Sequence, residues 1–341
     1  MASQPQLNTA VRPQTLVSGI RSTGELHLGN YYGALRGLLS LQDRYDSFFF
    51  IADLHALTTH PDPDNRIRQT IEVAKDYIAA GVDPRRSAFY DQSSIAAELA
   101  ELHLYLSMVM PLGELIRCPT FKEKAKKHPD NVNYGLVGYP VLMTADILIH
   151  KSELVQVGED QLVHLEIART ITRRFNQLYG EVFPEPHPLV EHAVRIPALS
   201  GEGKMSKSDS ADAYVSLKDD PERIGTKVKK AYSDPTRIRR ELPGTPTREG
   251  CNVYHLHSYF SHDTMKSAIR EQCLSAKIGC VQCKALLTES LVSVVEPIRE
   301  RRERFSDADI VELLHIGSEK ARLSAQAVIS EVRRAMGFTM V

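Results

Sequence analysis

Between residues 15 and 110 the chain alternates short β-rich runs with amphipathic helical stretches, and that order constrains the fold more than any other feature of the sequence. The first run, TLVSGI at 15–20, leads into a glycine-bearing loop, after which Tyr31, Ala34, Leu35, Leu38 and Leu41 recur at helical spacing. A second run, SFFFIA at 47–52, precedes an amphipathic helix over about 63–80, a short strand at 87–92 and a further helix over about 96–110. Strands separated by helices of this length cannot pair as hairpins, so the pattern predicts a parallel sheet of the doubly wound kind. Ligands of such sheets sit at the carboxyl ends of the strands.

From 117 to 179 the pattern is mostly helical and includes an apolar stretch at 140–149, read as an insertion packed on the sheet or on a second subunit. The sheet is expected to resume near 193–196. Beyond Lys218 only helical periodicity is found, with turn clusters at 243–246 and 261–263. The expectation is an α/β fold with a doubly wound parallel Rossmann-like sheet, a helical insertion at 117–179 and a C-terminal all-helical domain. The boundary falls between 1–217 and 218–341. No apolar run reaches the length of a membrane span, and the polar N-terminus has no secretory core segment, which predicts a soluble, cytoplasmic chain without membrane contact.

The 341 residues carry a net charge of -1, which argues against a protein that meets nucleic acid with its whole surface. The charge is unevenly spread. From Lys218 to Arg304 there are 17 basic and 12 acidic residues, with Lys227, Lys229, Lys230, Arg237, Arg239 and Arg240 close together and Arg299, Arg301, Arg302 and Arg304 forming a second group. Such groups make a solvated face or a polyanion-binding one. Four of the five cysteines, Cys251, Cys273, Cys280 and Cys283, fall within 33 residues of this same region. In a reducing interior that grouping reads as a metal or cluster site before it reads as disulfides. Cys118 stands apart and is expected to be a small buried residue.

Two loops carry recognisable chemistry. The first runs from Gly19 through Gly24 and His27 to Gly29 and Asn30, directly after the first strand and before the first helix. Unpaired amides at a helix start favour an anion, and Gly29, lacking a side chain, lets a base or phosphate approach the backbone. The second is Lys204-Met-Ser-Lys207-Ser208, flanked by Gly201 and Gly203 and by Asp209. Two lysines three apart with interleaved hydroxyls suit a flap over a polyphosphate, where they would neutralise charge on a leaving group. Taken alone, each loop also reads as an ordinary surface turn.

These two loops resemble the paired signatures of class I aminoacyl-tRNA synthetases, in the expected order. Three further segments, Ala52-Asp-Leu-His55-Ala-Leu-Thr58, Tyr139-Pro-Val-Leu-Met143-Thr-Ala-Asp146-Ile-Leu148 and Val157-Gly158-Glu159-Asp160-Gln161, make the chain similar to the bacterial tryptophanyl-tRNA synthetases over nearly its whole length. The resemblance implies activation of L-tryptophan by ATP, with Mg2+, and transfer of the tryptophanyl group to tRNA(Trp). It also implies a homodimer paired through 117–179 and an anticodon-binding helical domain. By carry-over, His27, Asn30, Lys122, Lys204 and Lys207 act on the reacting phosphates. Arg21, Ser22, Thr23, Gly29, Gly158, Glu159, Asp160 and Ile196 line the ATP site, and Met205, Ser206 and Ser208 belong to the closing flap. Asp146 accepts the indole N–H, Met143 packs on the ring, Tyr139 and Gln161 meet the ammonium group, and His55 completes the amino-acid site. Arg21-Ser22 stands where many relatives have Gln-Pro, which leaves the backbone at Ser22 less restrained and brings an extra charge.

The cysteine spacing C-x21-C-x6-C-x2-C is similar to that of a subset of the family that holds a four-iron, four-sulfur cluster, with the first gap one residue shorter. Four thiolates also suit tetrahedral zinc, and unligated thiols remain an alternative. A tyrosyl enzyme, a nucleotidylyltransferase and a non-catalytic RNA-binding regulator are the rival readings. The first fits the segments around Asp146 poorly, the second leaves the Lys204 loop unexplained, and the third leaves both phosphate loops without a purpose.

Overall fold

The computed structural model describes residues 13–22, 24–58, 65–127, 129–190, 194–206 and 209–338. Strands β1 (Thr15–Arg21), β2 (Asp46–Ala52), β3 (Ala88–Asp91), β4 (Leu154–Val157) and β5 (His187–Val190) form one sheet in the order β3-β2-β1-β4-β5, every pair parallel. The helices are α1 (Leu28–Asn30), continued through a π turn at Tyr31–Leu35 into α2 (Arg36–Leu41), then α3 (Asp53–Leu57), α4 (Arg66–Ala80), α5 (Ala96–Ser107), α6 (Leu112–Arg117), α7 (Pro119–Lys127), α8 (Tyr134–Leu148) and α9 (Leu162–Tyr179). Beyond the sheet follow α10 (Pro221–Lys230), α11 (Asn252–Phe260), α12 (Asp263–Leu274), α13 (Cys280–Glu303) and α14 (Asp307–Ala335).

Because successive side chains of a strand point to opposite faces, β2 divides itself between two cores. Phe49 and Ile51 join Leu16, Ile20 and Phe89 on one face, whereas Phe48 and Phe50 join Val17, Tyr90 and Val155 on the other. The strand order reverses direction between β1 and β4, which makes their carboxyl ends the natural ligand crevice.

The predicted doubly wound sheet and C-terminal helical part are therefore present, with two corrections to the strands. The segment 117–179 contains β4, which pairs with β1 through Leu16↔Leu154 and Val17↔Val155. Its four residues, Leu-Val-Gln-Val, are too few to display a period. The sheet resumes at His187–Val190 and not at 193–196, where 194–196 form no strand and 191–193 lie outside the described residues. The strand opens His-Pro, and Pro188 is tolerated because β5 is the sheet edge.

Among the described residues no strand follows β5, but the C-terminal helices do not stand clear of the sheet. Helix α14 lies on β3 so closely that a Cβ at Gly317 would overlap the Phe89 carbonyl, and Ala321, Ala325, Val328 and Val332 enter the second core. Helix α13 carries Cys280 and Cys283 in its first turn and Arg301 and Arg302 in its last, and the latter reach α4. No helix among the described residues is long and apolar enough to cross a membrane.

Candidate active site at the switch point of the sheet

At the end of β1, Arg21 is exposed and Ser22 buried, and Gly24 adopts a positive φ of 82° that admits the turn. The chain then re-extends through Leu26 to His27, which caps the helix with φ -127° and ψ 168°. The Asn30 side chain accepts the His27 N–H at 3.1 Å, so Asn30 holds the turn shut. The helix start is less open than expected: the Leu28 amide donates to the Val215 carbonyl at 2.9 Å, and those of Asn30 and Tyr31 turn back to the His27 carbonyl. The His27 ring is buried beneath Gly29, where a Cβ would come within 2.8 Å of Cε1.

The same hypothetical Cβ would stand 3.1 Å from Cβ of Met205, and this contact joins the two signature loops. Met205 is buried, and its N–H donates to the Ile196 carbonyl at 2.9 Å. Lys204 bridges Pro197 and is exposed, and Ser206 is half-buried. Thr23, Lys207 and Ser208 lie outside the described residues, as does the side chain of Asp160. Beyond the flap the chain returns to the turn: Leu217 N–H donates to the Leu26 carbonyl at 2.9 Å, and Ser216 bridges His27. A buried ion pair fixes this return, with Lys227 Nζ 2.6 Å from Asp219 Oδ2, which also accepts the Ser216 N–H. Deleting one partner of such a pair costs about 3–5 kcal/mol, because the other charge is left unpaired.

Farther along the same edge of the sheet lies a buried carboxylate. Asp146, on α8, is 2% exposed; its Oδ2 is 2.9 Å from His55 Nε2, and its Oδ1 accepts from Gln92 Nε2 at 2.7 Å. Gln92 Oε1 accepts the His55 N–H at 3.3 Å, so one amide fixes both partners. Burial pushes the Asp146 carboxyl above the usual range, while the His55 and Gln92 hydrogen bonds and the His103 charge draw it back. Each carboxylate oxygen has two lone pairs, so this one retains the capacity to accept a ligand N–H. Met143, one turn earlier on α8, is half-buried.

The Tyr139 hydroxyl, predicted to meet an ammonium group, lies in a cluster with His164 and Thr120 and donates to the latter at 3.2 Å. The face of its ring carries the Lys124 ammonium at 3.9 Å. Burial lowers the Lys124 pKa, and the neighbouring Arg21 charge lowers it further. Lys122 is exposed, and Lys124 is half-buried. Gly158 and Glu159 are exposed at the end of β4, and Gln161 caps α9. Sequence reasoning missed Gln92 and Lys124. Their signals were available: Gln92 immediately follows β3, and Lys124 lies two residues beyond Lys122 on the same helix.

The four grouped cysteines come from three helix ends: Cys251 caps α11, Cys273 lies in the last turn of α12, and Cys280 and Cys283 open α13. Burial, and then the other three thiols, push Cys283 up to about 12; burial also raises Cys251 and Cys273. Arg237 donates from Nη1 to Cys273 Sγ at 3.7 Å and from Nη2 to the Ile278 carbonyl at 2.8 Å, while its buried Nε–H has no partner. The four thiols are of the type that binds a soft metal or cluster, and a buried guanidinium lies beside Cys273. Among the described residues, no three His, Cys, Asp or Glu side chains lie close enough together to hold a metal ion. Cys118 is buried, as expected.

Residues 9–296 match the family described as tRNA synthetases class I (W and Y). The chain is 43% identical to the tryptophan-tRNA ligase of Porphyromonas gingivalis, over 95% of this chain and 99% of that one. To the tryptophan-tRNA ligase of Thermotoga maritima it is 39% identical, over 94% and 98%. The fold superposes on the crystal structure of Campylobacter jejuni tryptophanyl-tRNA synthetase complexed with ADP and tryptophan with a TM-score of 0.87. That match has 29% identity and covers 95% of this chain and 100% of that chain.

Proposed function

This chain belongs to the class I tRNA synthetases (W and Y), with the activity of a tryptophan-tRNA ligase, and from that premise we propose how its residues divide the work. ATP, with its Mg2+, lies between the His27 turn and the 204–208 flap. The tryptophan carboxylate attacks the α-phosphorus; the bond to the β-phosphate oxygen breaks, and pyrophosphate leaves with the electron pair. The terminal ribose hydroxyl of tRNA(Trp) then displaces AMP from the adenylate. Lys204, Lys207 and Lys124 counter the charge that develops on the pyrophosphate, with Lys122 placed to meet it from solvent. His27, Asn30 and Gly29 fix the turn; Arg21, Ser22, Thr23, Gly158, Glu159, Asp160, Ile196, Met205, Ser206 and Ser208 line the nucleotide. No covalent enzyme intermediate is required, since positioning and electrostatics supply the rate.

Asp146 accepts the indole N–H while His55 and Gln92 hold the carboxylate in place. Met143, Tyr139 and Gln161 complete the amino-acid pocket. The observation that carries this reading is the contact between Gly29 and Met205, which brings both signature loops to one crevice. Tryptophan-dependent exchange of pyrophosphate into ATP tests it; a protein that only binds RNA shows none. The chain contains no tryptophan, so fluorescence excited at the red edge of the indole band reports the ligand alone.

Leu104, Met108, Leu112, Ile116 and Tyr134 are exposed on α5, α6 and α8 and the turn joining α5 to α6, just ahead of and within the segment expected to pair subunits. Their exposure supports a homodimer. Sedimentation should give twice the chain mass, and a Met108→Asp, Leu112→Asp double variant should sediment as a monomer.

The helical part after Lys218 takes the anticodon. Ile238 and Val281 stand 80% and 83% exposed near the cysteines, close in sequence to the exposed Arg239, Arg240 and Lys277. Apolar and cationic groups together suit an unstacked base and its phosphates. Cys251, Cys273, Cys280 and Cys283 would hold a four-iron, four-sulfur cluster, with zinc the alternative, and such a group would supply a rigid link between three helix ends. Anaerobically purified protein should carry about four iron and four sulfide per chain and absorb near 400 nm. One zinc per chain would replace that assignment.

A further inference from the structure

We propose that Asp76 and Arg302 are positioning residues for adenylate formation: together they set the peptide that precedes His27. The inference rests on the reading that the His27 turn takes ATP. Leu26 is held at both ends of its backbone. Its carbonyl accepts from Leu217, and its N–H donates to Asp76 Oδ2 at 3.4 Å. Asp76, on α4, is 1% exposed, and its other oxygen accepts from Arg302 Nε at 2.7 Å.

Arg302 is itself fixed. Its Nη2 donates to Glu72 at 2.6 Å; Glu72 also takes Lys218 Nζ at 2.5 Å, and Arg301 next to it donates to the Ala79 carbonyl at 2.6 Å. Lys218 directly follows Leu217, so one charged network grips both strands of chain that meet at Leu26. Beside this network lies a cleft of about 280 Å3 lined by Gly24, Glu25, Arg68, Glu72, Asp76 and Lys218. The buried Leu26 side chain shares a core with Val73, Ala74 and Tyr77 of α4, and the Asp76 hydrogen bond orients its peptide against that helix. The consequence lies in geometry: a displacement of about 1 Å at a reacting group costs about a hundredfold in rate.

The test compares full-length Asp76→Ala, Arg302→Met and Arg302→Lys with the parent in tryptophan-dependent pyrophosphate exchange. Tryptophan affinity is followed by ligand fluorescence. Asp76→Ala should lower kcat by about ten- to a hundredfold and raise KM for ATP, while tryptophan affinity stays within about twofold of the parent. Arg302→Met should fall in the same direction, and Arg302→Lys should recover most of the loss, because it keeps a cation for the Asp76 carboxylate. If Asp76→Ala fails to fold, the two Arg302 variants decide. Parent-like kcat and KM for ATP in Arg302→Met, or an equal loss of tryptophan affinity in every variant, would overturn the proposal. A parent without exchange activity would overturn the ATP reading beneath it instead.

Discussion

A Gly29→Ala enzyme should lose about a hundredfold in the kcat of pyrophosphate exchange while binding tryptophan as the parent does. The added methyl would come within 2.8 Å of the His27 ring and 3.1 Å of Met205 Cβ. His27 is buried, so its ring has little room to retreat, and Met205 is packed into the core of the flap. The turn and the flap must then part, and the triphosphate site opens. The overpacking should also cost about 1–3 kcal/mol of stability, read from denaturant unfolding. Gly33→Ala is the control, since its nearest neighbour would be the Val194 carbonyl at 3.4 Å, an ordinary contact. Equal exchange rates in the two variants would show that Gly29 does not stand between reacting groups.

An Asp146→Ala enzyme should bind tryptophan about ten- to a hundredfold more weakly, corresponding to about 1–3 kcal/mol for a buried hydrogen bond left unmade. The loss has two sources: the indole N–H forfeits its acceptor, and His55 and Gln92 are left facing a space that the carboxylate had filled. A tryptophan analogue with sulfur in place of the indole N–H separates them. The parent should discriminate against that analogue, because a site built to accept a hydrogen bond rejects a ligand that cannot donate one. Asp146→Ala should bind both ligands alike. Persistent discrimination in the variant would place the indole acceptor elsewhere.

The sequence made the first three strands and both signature loops legible, for physical reasons. Residues 47–52 are almost wholly apolar, as a strand buried on both faces must be, and glycine, histidine and lysine at the loops are residue types suited to a phosphate. The elements it concealed are those decided by distant partners. The four residues of β4 become a strand only because β1 and β5 lie on either side of it. Pro188 is admissible in β5 only at an edge. That α14 returns to β3 depends on Gly317 meeting the Phe89 backbone, a contact that no local period encodes.

In the candidate site, the chemically distinctive residues are legible in the sequence and the side chains packed against them are not. Asp146 was recognisable, but Gln92, the side chain that orients it, is separated from it by 54 positions. Lys124, two residues beyond the predicted Lys122, lies over the Tyr139 ring, and spacing alone does not say which face of α7 turns there. The amides of α1, expected to await an anion, are partly occupied by Val215 and His27, since the chain that returns from the flap needs those same donors.

A crystal structure of the protein with tryptophan and a non-hydrolysable ATP analogue decides whether both signature loops and Asp146 serve one reaction. The triphosphate should lie between the His27 turn and the 204–208 flap, with the indole nitrogen within hydrogen-bond distance of Asp146. Ligands bound at separate surfaces, or an indole turned away from Asp146, would contradict it.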